Sequence, residues 1–320
     1  MPSSVIRLGI SSCLLGEQVR WDGGHKLDPW LADQLGRFAR YYPICPEVGC
    51  GFGVPREPLC LAGDPHAPQL ITSRSKQDHT KRMLGWARSK VRELEGKDLC
   101  GFIFKGKSPS CGIERVRVYG VKGKGAPSST GQGLFARAFM DHFPLFPVED
   151  DGRLHDPQLR ANFIERVFVM QRWRDGFCRG RRSRGGLVRF HTEHELVILS
   201  HSSRHHLIMG KLVARAKAMP MARLYKEYQQ LLLEALRLMA TPAKHSNVLQ
   251  RTTGYFKKQL SCEERQELQE VIDSYRRGQV PLSVPINRIN HYARLFNNVY
   301  LRGQRYLLPQ TLQLQLRDLL

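Results

Sequence analysis

The stretch Val5-Ile6-Arg7-Leu8-Gly9-Ile10-Ser11-Ser12-Cys13-Leu14-Leu15-Gly16 sets the fold class. Its first seven residues are a short β-rich run, and it ends at Ser12-Cys13 with a glycine three residues on, so a cysteine stands just past the strand's carboxyl end. The same arrangement recurs twice. Tyr41–Cys45 reads as a second strand stopped by Pro46, and Leu99–Phe104 as a third, buried strand broken by Lys105-Gly106-Lys107-Ser108-Pro109, with Cys111 beyond it. Helical spacing fills the intervals, over Leu27–Arg40 (Trp30, Leu31, Leu35, Phe38) and over Ser75–Glu95 (Met83, Leu84, Ala87, Val91, Leu94). Val116–Tyr119 adds a short strand and Gly133–His142 a helix before Pro144. Strands separated by helices predict an α/β, Rossmann-like N-terminal domain with a largely parallel sheet. The carboxyl ends of such strands lie side by side and form the usual ligand crevice, so Cys13, Cys45 and Cys111 are expected to converge there.

After Asp150-Asp151-Gly152 the pattern changes, which predicts an α/β domain over 1–152 and an all-α domain over 153–320. Pro157–Trp173 reads as a helix, followed by an arginine-rich stretch containing Arg172, Arg174, Arg179, Arg181, Arg182, Arg184 and Arg189. Ala222–Ala240 carries apolar side chains at helical spacing. Ser261 with Glu264 forms a capping box for a helix running to Arg277, and Gly278 is a natural stop. A further helix begins near Pro285, with Ile289, Tyr292, Phe296 and Tyr300 along one side.

Charge separates the two halves further. The chain carries 50 Lys+Arg against 29 Asp+Glu, a net charge of +21. The first 150 residues hold 21 basic and 15 acidic residues, and the remainder 29 and 14. A skew of this size favours a polyanionic partner, because each neutralised phosphate releases a counterion. Arg179, Arg181, Arg182 and Arg184 are the leading candidates for phosphate contacts, with a solvated loop as the competing explanation. No run of about 18 apolar residues is present, so no membrane partner is expected. The start of the chain lacks the apolar stretch of a signal peptide, and a cytoplasmic location follows as an expectation, with the eight cysteines as thiols or metal ligands.

Six of those cysteines precede residue 112. Close Cys-x-x-Cys pairs, which structural zinc sites use, are missing, as is the tight run of ferredoxins. Cys13, Cys45 and Cys111 instead sit singly in loops beside Gly, Pro or Ser, where backbone N–H groups can approach sulfur. Buried, inert thiols remain the alternative on spacing alone. Cys50 lies close enough to Cys45 to supply a fourth ligand in principle. Cys60 and Cys100, among Leu59, Leu61, Leu99 and Phe102, read as core, and Cys178 and Cys262 as incidental. His201, His205 and His206 read as helix-face or packing histidines rather than a zinc site.

Five stretches in order resemble the thiouracil desulfidase family: Ser11–Gly16, Val19–Lys26, Cys45-Pro46-Glu47-Val48, Gly53-Val54-Pro55-Arg56 and Lys107-Ser108-Pro109-Ser110-Cys111-Gly112. The resemblance covers roughly residues 5–150. The rest looks like the helical domain of fused desulfidases acting on 4-thiouridine in transfer RNA, through the His201–Lys211 and Pro281–Tyr292 stretches. The resemblance implies a [4Fe-4S] cluster held by Cys13, Cys45 and Cys111, leaving one iron without a protein ligand. It implies Glu47 as the acid/base carboxylate and Ser108 as the polar residue assisting it. Cys50 is outside the motif, and the position of His25 varies in the family. The implied reaction removes sulfur from 4-thiouridine in tRNA, from its nucleotide or from 4-thiouracil, without electron transfer. A nucleic-acid-binding protein with a structural or redox-sensing cluster is the competing class. An enzyme with a catalytic cysteine and no metal is a third.

Overall fold

Strand β1 (Ile6–Ser11) is an inner strand of the first sheet, with Ile6, Leu8 and Ile10 buried along one face and Gly9 and Ser11 buried on the other. It pairs in parallel with β2 (Ala39–Ile44), Ser11 opposite Ile44. Residues 5–120, 127–178, 180 and 182–308 are described by this computed structural model, and the chain divides into two units, Met1–Arg174 and Asp175–Leu320. Between β2 and the next strand pair lies the single turn α1 (Pro46–Gly49). Strands β3 (Leu59–Ala62) and β4 (Gln69–Thr72) form a hairpin, followed by helix α2 (Thr80–Glu95). Then come β5 (Gly101–Phe104), β6 (Val116–Tyr119), β7 (Ser128–Gly131), helix α3 (Leu134–His142), β8 (Val148–Asp150) and helix α4 (Pro157–Trp173).

The first sheet has the order β2-β1-β5-β8 and is parallel throughout. The parallel α/β expectation therefore holds, with one addition that sequence reading did not supply. Val116–Tyr119 joins a second, mixed sheet of order β4-β3-β6-β7 instead of extending the first. Its Leu61, Leu70, Val116 and Val118 share one core with Met83, Ala87, Val91 and Leu94 of α2, Phe135 and Phe139 of α3, and Phe102 and Phe104 of β5. Gly9 is required by that core. A Cβ there would stand 2.2 Å from Cδ2 of Phe102 across the ladder.

Two predicted helices are shorter than their apolar spacing suggests. Leu27–Arg40 forms only one wide turn over Trp30–Gln34 and one tight turn over Leu35–Arg37, since β2 already begins at Ala39. Ser75–Glu95 becomes helical only at Thr80. Before it, the Glu57 carboxylate holds the Arg74 and Ser75 N–H groups in a turn, and the Thr72 and Ser75 hydroxyls hydrogen-bond at 2.6 Å.

Helix α4 belongs to the first unit, so the division falls after Arg174 and not after residue 152. The physical reason is local. The Arg160 guanidinium lies 4.6 Å over the Trp30 ring and donates to the Leu154 carbonyl at 2.7 Å, tying the helix to the α/β layers.

The second unit is helical: α5 (Arg184–His201), α6 (Ser203–Ala214), α7 (Met221–Arg237), α8 (Pro242–Thr253), α9 (Cys262–Arg276), α10 (Ser283–Leu295) and the short α11 (Val299–Arg302). The Ser261/Glu264 capping box opens α9 as expected, and Gly278 adopts φ +75° just past its end. Buried polar pairs fix the packing, with His191 Nδ1 3.1 Å from Tyr228 OH and His245 Nδ1 2.9 Å from Tyr306 OH.

Replacing Gly9 by alanine drives a methyl into the Phe102 ring, and overpacking of this kind costs about 1–3 kcal/mol. Gly9→Ala should lower the urea midpoint of the first unit accordingly. An unchanged midpoint would contradict the close approach of β1 and β5.

Candidate functional site

The parallel register brings the carboxyl ends of β1, β2 and β5 to one level, and the chain leaves each strand toward a cysteine. Cys13, Cys45 and Cys111 line a single cavity of about 350 Å³, together with Ser11, Ser12, Glu47, Arg56, Lys105 and Ser108. The expected convergence is thus present.

Each sulfur is placed by its own local device. Cys13 lies in a tight turn after β1, and its carbonyl accepts from the Lys26 N–H at 2.8 Å, which folds the 19–28 loop over it. Cys45 precedes α1 with Pro46 at the first helical position, so the chain turns sharply as it leaves β2. Cys111 is held by a third device. The Ser108 hydroxyl accepts from the N–H groups of Ser110 (3.2 Å) and Cys111 (3.1 Å), closing the loop. The Pro109 and Ser110 carbonyls accept from the first N–H groups of α3, at 3.1 Å for Leu134 and 3.0 Å for Phe135. A Cβ at Gly133 would stand 2.5 Å from the Ser110 carbonyl carbon, so the helix can dock on this loop only through glycine.

Glu47, in α1, has both oxygens engaged. Oε2 accepts from Arg56 Nε at 3.0 Å and Nη2 at 2.5 Å, and Oε1 accepts from the Ser110 hydroxyl at 2.9 Å. Arg56 also donates to the carbonyls of Val19 (2.9 Å) and Gly53 (3.0 Å). One largely buried guanidinium therefore joins the loop over Cys13 to the turn after Cys45. The hydroxyl on Glu47 is that of Ser110, whereas Ser108 lines the cavity and has its oxygen on backbone N–H groups. Arg56 and Ser110 both lie in the quoted motifs, but nothing in their spacing says that they meet at Glu47.

Burial pushes the Cys13 thiol up to about 11, and the nearby Cys45 sulfur adds to this while Lys105 and Arg20 pull it back. Burial also raises the Cys45 thiol, against the pull of the Val48 N–H. Cys111 is raised most strongly, by complete burial, with the Ser11 hydroxyl acting against it and the other two sulfurs with it. Three thiolates here repel one another and lack solvent, and bound iron removes both penalties. Among the described residues no three His, Cys, Asp or Glu side chains are close enough to hold one metal ion. Thiolates bound to separate irons of a cluster do not need to be. The donor set is soft and without histidine, and hydroxyl, N–H and ammonium groups already favour its charged form, which fits an iron–sulfur cluster.

The remaining cysteines face elsewhere. The Cys50 thiol points at Met83 Sδ, 3.5 Å away in the core, and does not line the cavity. Cys100 is buried, and Cys60 is half-buried on β3 instead of in the core. Cys178 and Cys262 are exposed. His201, His205 and His206 have separate partners, the Leu238 carbonyl, the Ser202 hydroxyl and Glu195 respectively.

Of the four arginines singled out for phosphate, Arg179 and Arg181 lie outside the described residues. Arg182 lies over the Tyr225 ring at 5.5 Å and donates to the Phe177 carbonyl at 3.3 Å. Arg184 donates to the Ala216 and Met219 carbonyls, both at 2.9 Å, so its guanidinium joins α5 to the segment before α7.

Comparison with known proteins matches the two regions of the chain to separate families. Residues 8–151 match the family model described as 2-thiouracil desulfurase, and residues 196–311 match DUF1722, a family of unknown function. The chain is 38% identical over 136 residues to the uncharacterized protein YbgA of Escherichia coli (strain K12), spanning 42% of this chain and 80% of that protein. It is 28% identical over 132 residues to the uncharacterized protein YbbK of Bacillus subtilis (strain 168), spanning 40% of this chain and 85% of that one. Among solved structures, the [4Fe-4S]-dependent thiouracil desulfidase TudS is 29% identical, spanning 47% of this chain and 94% of its own, with a TM-score of 0.39.

In chain freed of metal by a chelator, iodoacetamide at pH 8 should modify the exposed Cys178 and Cys262 first. Cys13 and Cys111 should follow only as the pH climbs toward and past about 11 for Cys13. Peptide mass spectrometry reads the order, and early modification of Cys111 would contradict its burial.

Proposed function

This chain belongs to the 2-thiouracil desulfurase family, continued by a DUF1722 region, and from that membership we propose that it is a non-redox desulfidase for thiolated uracil. The observation that carries the proposal is the shared cavity, where three cysteines from three strand ends meet one carboxylate. Cys13, Cys45 and Cys111 would hold a [4Fe-4S] cluster through three thiolates. When bound, that cluster supplies a thiophilic Lewis acid at the iron without a protein ligand, which polarises a thiocarbonyl.

Glu47 carries the proton chemistry. Its carboxylate takes a proton from the water that attacks C4 of 4-thiouracil and returns it to the departing sulfur. The balance is one thiocarbonyl and one water giving one carbonyl and one hydrogen sulfide, with no electrons transferred. The Arg56 fork fixes the carboxylate in place, and the Ser110 hydroxyl holds the other oxygen. Ser108 shapes the Cys111 loop with its oxygen and retains its proton as a donor toward the cavity. Lys105, whose ammonium is 2.9 Å from Asp151, keeps positive charge beside the sulfurs. The substrate class extends to 4-thiouridine, its nucleotide and 4-thiouridine in tRNA. The excess positive charge of the second half supports a polyanionic partner for that half.

Glu47→Gln keeps the shape and the Ser110 contact but cannot accept the proton. After anaerobic reconstitution it should retain the cluster's visible absorbance and lose at least about 10²-fold in sulfide release from 4-thiouridine. Full activity in this variant would exclude the acid/base role. An iron-free wild-type chain that released sulfide at full rate would exclude the cluster.

A further inference from the structure

A second cavity opens beside the first and shares Leu59, Lys107 and Pro109 with it. It lies on the open face of the second sheet. Along β6, Val116 and Val118 are 2% exposed and point into the core. Arg117 and Tyr119 therefore stand on the opposite face, where both line the cavity. Lys107 and Arg115 complete its charged lining, and among the described residues no carboxylate side chain lines it.

Two of the three cations there carry no partner among the described residues, and the third is weakly paired. Lys107 and Arg117 have no ion-pair or hydrogen-bond partner for their side chains among the described residues. Arg115 is 84% exposed, and its one acidic neighbour, Glu114, is 4.0 Å away and already accepts from Arg153 at 2.8 Å. Three cations gathered beside an aromatic ring, with Glu114 at 4.0 Å from Arg115 as their one ion-pair partner among the described residues, match a nucleotide's two features: a phosphate to neutralise and a base to stack. The shared Lys107 puts this lining next to the cavity that takes the thiolated pyrimidine.

We infer that the second cavity is a subsite for the nucleotide adjoining the thiolated one, with Lys107, Arg115 and Arg117 on the connecting phosphodiester and Tyr119 stacked on the neighbouring base. The inference rests on the desulfidase reading of the first cavity and narrows its substrate to a thiolated uridine within a strand. The α/β unit would then select a polynucleotide by itself, apart from any contribution of the basic second half.

Isothermal titration of the full chain with the uridine trinucleotide UpUpU and with uridine 5′-monophosphate tests this without requiring turnover. At low salt the trinucleotide should bind about 10-fold tighter or better, and Arg115→Gln/Arg117→Gln should bring the two ligands within about twofold. The slope of log K against log salt should fall by about 0.7 in that variant, since the three cations share one phosphodiester and single strands contribute about 0.7 per phosphate contact. Tyr119→Ala should weaken the trinucleotide about fivefold or more. The subsite is overturned if the double variant keeps the trinucleotide advantage, or if the wild type shows none. It is also overturned if hexaglutamate displaces the trinucleotide with equal affinity, which would assign the groove to an acidic protein partner. Sulfide release from 4-thiouridine by the same reconstituted preparation separates the two levels. Release without a trinucleotide advantage sinks the subsite alone, and absence of release from every thiolated substrate sinks the reading on which it rests.

Discussion

Everything at the site depends on the in-register parallel pairing of β1 with β2 on one side and β5 on the other. A parallel ladder ends all its strands at the same edge, so three loops far apart in sequence leave the sheet together. Slipping one strand by a single residue would reverse its side chains and move its cysteine off the shared level. The register is defended by the core. Phe102 presses across Gly9, and Phe102, Phe104, Phe135 and Phe139 pack ring against ring beneath the cysteine loops.

On this frame the electrostatics of the cavity are set by two opposing demands. The sulfurs are buried and mutually repulsive as thiolates, which favours protonated thiols in the absence of metal. The surroundings favour the charged form, through the Ser11 hydroxyl, the Val48 N–H and the ammonium of Lys105. A site tuned in this way is prepared for a positively charged occupant. Arg56 meets a parallel need at Glu47, where a partly buried carboxylate without a partner would be costly. Because the same guanidinium also holds the Val19 and Gly53 carbonyls, loss of Arg56 would disturb the loops as well as the charge.

Much of this was legible in the chain itself, for identifiable reasons. The strand-then-cysteine pattern at Val5–Cys13, Tyr41–Cys45 and Leu99–Cys111 carries its own meaning, because strand ends converge in any parallel sheet. The capping box at Ser261 is likewise local, and it forms as its spacing predicts. What escaped depends on distant partners. The second sheet pairs β3 with β6 across more than fifty intervening residues, and no local spacing encodes that. The helix at Pro157–Trp173 packs with the first unit through Arg160 on Trp30, a contact that leaves no mark in the helix's own sequence. Proximity to Cys45 leaves Cys50 open as a fourth ligand in principle, although it is outside the family motif, and the turn of α1 sends its sulfur to Met83. The motif points to Ser108, and only the folded loop shows that the hydroxyl reaching Glu47 is that of Ser110, two residues away.

The central claim is that three thiolates hold a four-iron cluster with one iron left open to a sulfur ligand. Mössbauer spectroscopy of chain reconstituted with ⁵⁷Fe under anaerobic conditions measures this directly. The account predicts a spectrum in which one iron in four is distinct, and addition of 4-thiouracil should shift the signal of that iron while leaving the other three in place. Four equivalent irons that ignore 4-thiouracil, or a chain that binds no iron in stoichiometric amount, would contradict it.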